Sequence, residues 1–378
     1  MVVLSHDKCV PIAEWLSVRK DGIINEQISS VQCDTKFRYS PNEKYVDVKS
    51  GAALKGGSCS VVESGWSGVS SVGRRCVFTL SEVEETEGGM TAFSVLVQQQ
   101  SDKKGNVYRS MELQVYDMEI EMETGVVWEV KVDDIRVFLP VSLADGKVRV
   151  HQNGINIIIE TDFDLKLTYD TVSGVFLQIP STYNSLPRGL CGNYNGKAPS
   201  ADEKPEDIAA AWVVKQNNTT CETGCGSSPC PKPDEQKEDK AKKDCDIIKD
   251  QSGPFAGCHS TVNPTIDYKA CVREMSSGEG DKRILCRHIQ NYVTACQLAG
   301  ANIREWRKDN FCPVTCPAGS HYELCTSTCT STCFSLEQTG ACPVCQEGCE
   351  CDEGLMSDGV QCVPVEKCGC VVDGQYYK

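Results

Sequence analysis

Residues 146–170 read "GKVRVHQNGINIIIETDFDLKLTYD", rich in Val, Ile, Phe and Tyr, with much period-two alternation, the signature of strands with one buried face. Asn153-Gly154 sits where the chain must reverse, and that dipeptide favours a two-residue hairpin turn. The same pattern extends outward on both sides. "TAFSVLVQQQ" (91–100), "YRSMELQVYDMEIEM" (108–122), "VVWEVKVDDIRVFLPV" (126–141) and "GVFLQIP" (174–180) are strand-like, with further turn signals at Asp145-Gly146 and Ser173-Gly174. Successive strands joined by short turns, with no helices between them, predict antiparallel sheets packed as an all-β sandwich.

The cysteines divide the chain. Only Cys9, Cys33, Cys59 and Cys76 precede residue 190, whereas the other twenty-one of the 25 fall between Cys191 and Cys370. The first half must therefore fold by burial, and the second by small modules held with disulfides. Such bridges persist in an oxidising compartment, which predicts secretion. The start, "MVVLSHDKCVP", lacks the basic and long apolar regions of a secretory signal, so an incomplete amino terminus is expected. No run is apolar enough to span a membrane. A net charge of −15 disfavours nucleic acid and anionic lipid as partners, since both are polyanions.

At 378 residues two or three domains are expected. The sheet domain runs over 59–221, after an unassigned segment 1–58. Residues 222–244 read as a charged linker, because 231–244 carry five lysines, five acids, two prolines and no large apolar residue. In "KRILCRHIQNYVTACQLAG", Leu285, Ile289, Tyr292, Val293 and Cys296 fall at helical spacing, and Gly300 follows as a C-cap. A small disulfide-stapled helical domain is thus expected over 245–312. Over 316–368 ten cysteines recur with gaps of 8, 3, 3, 8, 2, 3, 1, 10 and 5 residues and no hydrophobic periodicity, which predicts a module held by bridges alone. Residues 369–378 begin a further module.

These three blocks resemble the von Willebrand type D, C8 and trypsin-inhibitor-like series of von Willebrand factor, gel-forming mucins, the IgG-Fc-binding mucus protein, zonadhesin and the tectorins. The resemblance rests on "GLCGNYNG" (189–196), "GPFAGCH" (253–259), "IREWRKDNFC" (303–312) and "CPAGSHYELCTSTCTSTC" (316–333). It implies a secreted structural or adhesive glycoprotein of mucus, extracellular matrix or gamete surface that binds other glycoproteins or copies of itself. For the last module it implies the bridges Cys316–Cys349, Cys325–Cys345, Cys329–Cys342, Cys333–Cys368 and Cys351–Cys362, and for the sheet domain Cys59–Cys191 and Cys76–Cys221. It also implies calcium held by Asn193, Asn195, Asp202 and Glu203, oxygen donors of the type this ion prefers. A disulfide-pinned turn whose asparagines tolerate left-handed backbone is the plainer reading of the same loop.

Departures from the family pattern carry their own expectations. "CSVVESGWSGVSSV" (59–72) stands where a Gly-Asp-Pro-His-Tyr opening is usual, so autocatalytic cleavage there is not expected. Arg188 replaces the first cysteine of the usual Cys-Gly-Leu-Cys turn, and Glu84 and Glu85 stand near its partner's place, which suggests an Arg188–Glu85 ion pair worth at most about 1 kcal/mol. Ser276 occupies a further cysteine position, leaving one thiol of the helical block without its usual mate, consistent with the odd total. An interchain disulfide is one fate for that thiol.

Other function classes compete. Serine-protease inhibition would use the loop Cys342-Pro-Val-Cys345, which is short and contains proline. Redox catalysis would use the same Cys-x-x-Cys spacing, but the neighbouring cysteines suggest both sulfurs are already bridged. His259 and His288 form no recognisable catalytic set, so no enzyme activity is expected. Asn217 and Asn218 in "QNNTTC" are overlapping glycosylation acceptors.

Overall fold

The computed structural model describes residues 75–84, 89–101, 107–172, 174–192, 211–214, 235–277, 280–326, 332–333, 345–372 and 375–377, with short strands at 4–5, 8–9, 38–40, 43–46 and 56–61. Fourteen strands build the sheet domain. They are β1 (Arg38–Ser40), β2 (Glu43–Val46), β3 (Gly56–Val61), β4 (Arg75–Val83), β5 (Phe93–Ser101), β6 (Val107–Val115), β7 (Met118–Glu123), β8 (Glu129–Val132), β9 (Ile135–Phe138), β10 (Val141–Leu143), β11 (Val148–Asn153), β12 (Asn156–Thr161), β13 (Lys166–Tyr169) and β14 (Val175–Pro180). One sheet is the antiparallel meander β9-β8-β7-β6-β5-β4, and the other runs β10-β11-β12-β13-β14-β3-β1-β2. The backbone of β3 pairs with β14 from Gly56–Pro180 to Val61–Val175, so the sheet reaches back into the segment that the sequence left unassigned.

Alternation makes the sandwich. Phe78, Leu80, Val95, Val97, Met111, Leu113, Ile120 and Met122 face inward from the first sheet, and Val148, Val150, Ile157, Ile159, Leu167 and Leu177 meet them from the second in one buried cluster. In β14 the neighbours split: Val175 and Leu177 enter this core, while Phe176 points the other way and joins the core of the helical domain. The hairpin pairs Asn153 with Asn156, so its two-residue turn is Gly154-Ile155, one residue on from the Asn153-Gly154 dipeptide, with Gly154 at φ 58° in the first central position.

The helical domain contains α1 (Glu235–Cys245), α2 (Thr265–Ser277) and α3 (Lys282–Leu298). Bridges Cys245–Cys271, Cys258–Cys296 and Cys286–Cys312 staple it. Phe255 packs edge-on against Tyr292 at 5.8 Å and Trp306 at 6.1 Å. The Asp281 carboxylate caps α3 by accepting from the Arg283 amide at 2.9 Å, and Gly300 follows its end at φ 66°.

Two expectations need correction, and a third falls outside the described residues. Residues 235–244 are not linker but the body of α1. The segment consists of strong helix formers with a Glu238–Lys242 pair at 2.8 Å, and its two buried positions, Ala241 and Cys245, sit one turn apart and anchor it. No thiol of the helical block is left without a mate: all six cysteines from Cys245 to Cys312 are paired, and the buried Ser276 hydroxyl donates to the Val272 carbonyl at 2.6 Å. Arg188 pairs with Glu84 at 3.0 Å. Arg188 bridges Glu82 through both backbone hydrogen bonds, and Glu84 lies two residues on, on the same side of the strand. Glu85, the partner expected from the sequence, lies outside the described residues. With 53% and 79% of their side chains exposed, the pair contributes little to stability.

In the last module β15 (Ser320–Glu323) pairs with β16 (Gly348–Cys351), and β17 (Leu355–Ser357) with β18 (Cys362–Pro364). Its small buried centre is Cys333 and Val363, against which Met356, Cys368 and, from the sheet domain, Trp128 and Phe138 pack.

Candidate functional site

The three domains converge on one buried residue, Glu347. It lies just before β16, between Gln346 and the glycine that opens the strand. Arg307 forks onto it, Nη2 to Oε1 at 2.7 Å and Nε to Oε2 at 3.1 Å. Trp306 Nε1 donates to Oε2 at 3.1 Å and the Tyr322 hydroxyl at 2.6 Å. The Arg307 guanidinium also lies 4.0 Å from the Trp306 ring centre. Arg307 and Glu347 retain only 7% and 1% of their side-chain exposure, so an unpaired charge here would be costly. Burial, and then the Glu347 charge, push the Tyr322 hydroxyl far up, which keeps it a protonated donor.

From α3 comes a polar stripe. Gln290, Asn291, Thr294 and Gln297 recur at helical spacing on the side away from the apolar positions, and Asn291, Thr294 and Gln297 are buried. Gln297 accepts from the Glu347 amide at 2.9 Å and donates to the Leu324 carbonyl at 2.7 Å. Gln290 accepts from Arg307 at 2.8 Å and donates to Asp170 at 3.2 Å. The other Asp170 oxygen accepts from the amides of Val172 and Gly174, both at 2.8 Å, holding the β13–β14 turn against α3. Neither an apolar moment nor a cysteine marks this stripe, but the i, i+4, i+7 spacing of uncharged polar residues is a signal that the sequence contains.

The sheet domain meets this centre through its turns. The Ile155 amide donates to the Glu347 carbonyl at 3.0 Å, and Asn156 Nδ2 to Gln346 Oε1 at 2.6 Å. Gly154, at φ +58°, would place a Cβ 2.3 Å from the Glu347 carbonyl oxygen, and a Cβ on Gly348 would lie 2.7 Å from Gly154 Cα. Two backbones thus approach as only glycines permit. Beside them Trp128 adopts φ 65°, costly for a bulky residue, and holds it through its amide to Gln152 Oε1 and its carbonyl to the Leu139 amide. Its ring packs on the cysteine-rich module. None of the seven disulfides with both ends described joins one domain to another, so the contacts across this junction do the joining there.

Comparison with known families matches each of these domains. The von Willebrand factor type D domain matches residues 72–203, the C8 domain 244–313 and the trypsin-inhibitor-like cysteine-rich domain 316–368. The chain belongs to the family built from this series. It is 36% identical over 313 residues to the IgGFc-binding protein of Homo sapiens, covering 80% of this chain and 6% of that protein. It is 34% identical over 280 residues to alpha-tectorin of Mus musculus, covering 71% and 13%, and 35% identical over 284 residues to zonadhesin of Sus scrofa, covering 71% and 11%. The chain therefore spans only a small part of the length of these relatives.

In the trypsin-inhibitor-like domain the structure joins Cys316 to Cys349, Cys325 to Cys345, Cys333 to Cys368 and Cys351 to Cys362. Cys329 and Cys342 lie outside the described residues, as does most of the inhibitor-type loop Cys342–Cys345. In the type D domain Cys191 is in a disulfide whose other end is not among the described side chains; those of Cys59, Cys76 and Cys221 are likewise not described. The calcium candidates Asn193, Asn195, Asp202 and Glu203, and the glycosylation candidates Asn217 and Asn218, also lie outside the described residues. What is described is the entrance to that loop: the amides of Leu190 and Cys191 donate to the carbonyls of Thr79 and Leu80, pinning it to β4. Among the described residues no group of His, Cys, Asp and Glu is arranged to hold a metal ion, and no helix is long and apolar enough to cross a membrane.

Proposed function

We propose that the chain is an extracellular structural unit of an adhesive glycoprotein, which presents its surface to other glycoproteins or to copies of itself as one stiff body. The observation that carries this reading is the junction at Glu347, where residues of all three domains are buried against one another with directed polar contacts and close glycine approaches. A catalytic centre would need an accessible reactive group; this centre is filled by its own side chains. The curated relatives, a protein named for IgG-Fc binding, tectorins and zonadhesins, support an adhesive role outside the cell.

Calcium belongs to the same proposal. Asn193, Asn195, Asp202 and Glu203 would hold it, and it would supply a charge around which their loop orders. Sedimentation of the secreted chain, with and without reductant and with calcium or chelator, tests the whole reading. Association that responds to calcium or reductant, or capture of a purified extracellular glycoprotein, is expected. A monomer under all four conditions that binds no such glycoprotein would refute it. For calcium alone, an unfolding midpoint that chelator does not lower, or lowers equally in Asp202→Ala, counts against the four residues.

A further inference from the structure

We propose that the Cys325–Cys345 disulfide is a thiol–disulfide exchange site, open to attack by a thiolate of another protein chain. Of the seven bridges with both ends described, it alone has both cysteines exposed. Those of the C8 domain are buried at one or both ends, and the other three of the trypsin-inhibitor-like domain are buried or half-buried. Exchange requires in-line access to a sulfur, so the exposed bridge needs no opening of the fold before reaction, whereas the buried ones do.

The surroundings give the reaction a direction. Gln297 Nε2 lies 3.8 Å from Cys345 Sγ, placed there by the helix whose stripe forms the junction. An N–H donor stabilises a thiolate at Cys345 and makes it the better leaving group. The incoming thiolate sulfur therefore bonds to Cys325 Sγ, the Cys325–Cys345 bond breaks, and Cys345 leaves as a thiolate that takes a proton from water. One S–S bond forms as one is lost, so no oxidant is consumed. The bridge also stands next to the junction: Thr326 donates its amide to the Gln346 carbonyl at 2.9 Å, and Glu347 follows. Exchange would thus join the chain covalently to a partner at the point where its own domains meet.

The test uses the full chain with its pre-existing thiols blocked. It is incubated with reduced glutathione under native conditions, then alkylated with a second, mass-distinct reagent and mapped by peptide mass. Glutathione on Cys325 and the second label on Cys345 should appear about tenfold or more ahead of label on any cysteine of the C8 domain. Opening of Cys245–Cys271, Cys258–Cys296 or Cys286–Cys312 at the same rate would overturn the site, as would earlier opening of Cys316–Cys349, Cys333–Cys368 or Cys351–Cys362. Glutathione on Cys345 in place of Cys325 would overturn the direction. Near-ultraviolet circular dichroism recorded alongside shows whether the fold persists; labelling that appears only as that signal is lost also overturns the proposal.

Discussion

Replacing Arg307 with Met should release the trypsin-inhibitor-like domain from the other two without unfolding the sheet. Arg307 and Glu347 form a forked pair at 2.7 and 3.1 Å with 7% and 1% side-chain exposure, so removal strands a carboxylate in the interior. Breaking such a pair costs about 3–5 kcal/mol. Trp306 and Tyr322 still donate to Glu347 in the variant, which places the expectation near about 3 kcal/mol, or roughly a hundredfold in the docking equilibrium. Native-state hydrogen exchange reads this at the amides of Ile155, Thr326 and Glu347, each bonded across or beside the junction, with Ile159 inside the sheet as control. Arg307→Met combined with Glu347→Leu should recover most of the loss, because replacing both charges removes the stranded one. Less than a fivefold change at the three amides, an equal change at Ile159, or a double variant as damaged as the sum of the singles would refute the argument.

Three further outcomes are expected. Gly348→Ala should loosen docking by about 1–3 kcal/mol, since its Cβ would fall 2.7 Å from the backbone of Gly154; unchanged exchange at Ile155 would show that the seam can give. Ala241→Lys should cost a few kcal/mol by driving charge into the seat of α1, seen as lost helical circular dichroism, and an unaltered spectrum would return 235–244 to the status of a linker. His151, buried on the outer face of β11, has its pKa lowered by burial to about 4, with Arg149 and Lys166 adding to the shift and Glu160 opposing it. The unfolded chain then binds a proton that the fold does not, so stability is full above pH about 6.5 and falls by about 1.4 kcal/mol per unit at most towards pH 4; His151→Leu should flatten that slope.

The strands were legible because alternation and turn dipeptides are local: β11 and β12 follow from residues 146–161 with no knowledge of the rest. The apolar stripe of α3 was legible for the same reason, through Leu285, Ile289, Tyr292, Val293 and Cys296. α1 was not, because only Ala241 and Cys245 are buried on it, too few positions for a period to show. The pairing of Arg188 with Glu84 was not legible either, since only the register of Arg188 against Glu82 brings that glutamate to its side.

Composition and pattern alone thus determined three blocks, their order, their classes and their dependence on disulfides. What joins the blocks did not show. Glu347 reads as one acid among several in "CQEGCECDEG", and Gly154 as an ordinary turn glycine. Their roles are set by Arg307, forty residues from Glu347, and by a backbone approach between Gly154 and Gly348 across two domains. Burial of a charge and contact between turns depend on where distant segments meet, and only the tertiary structure decides that.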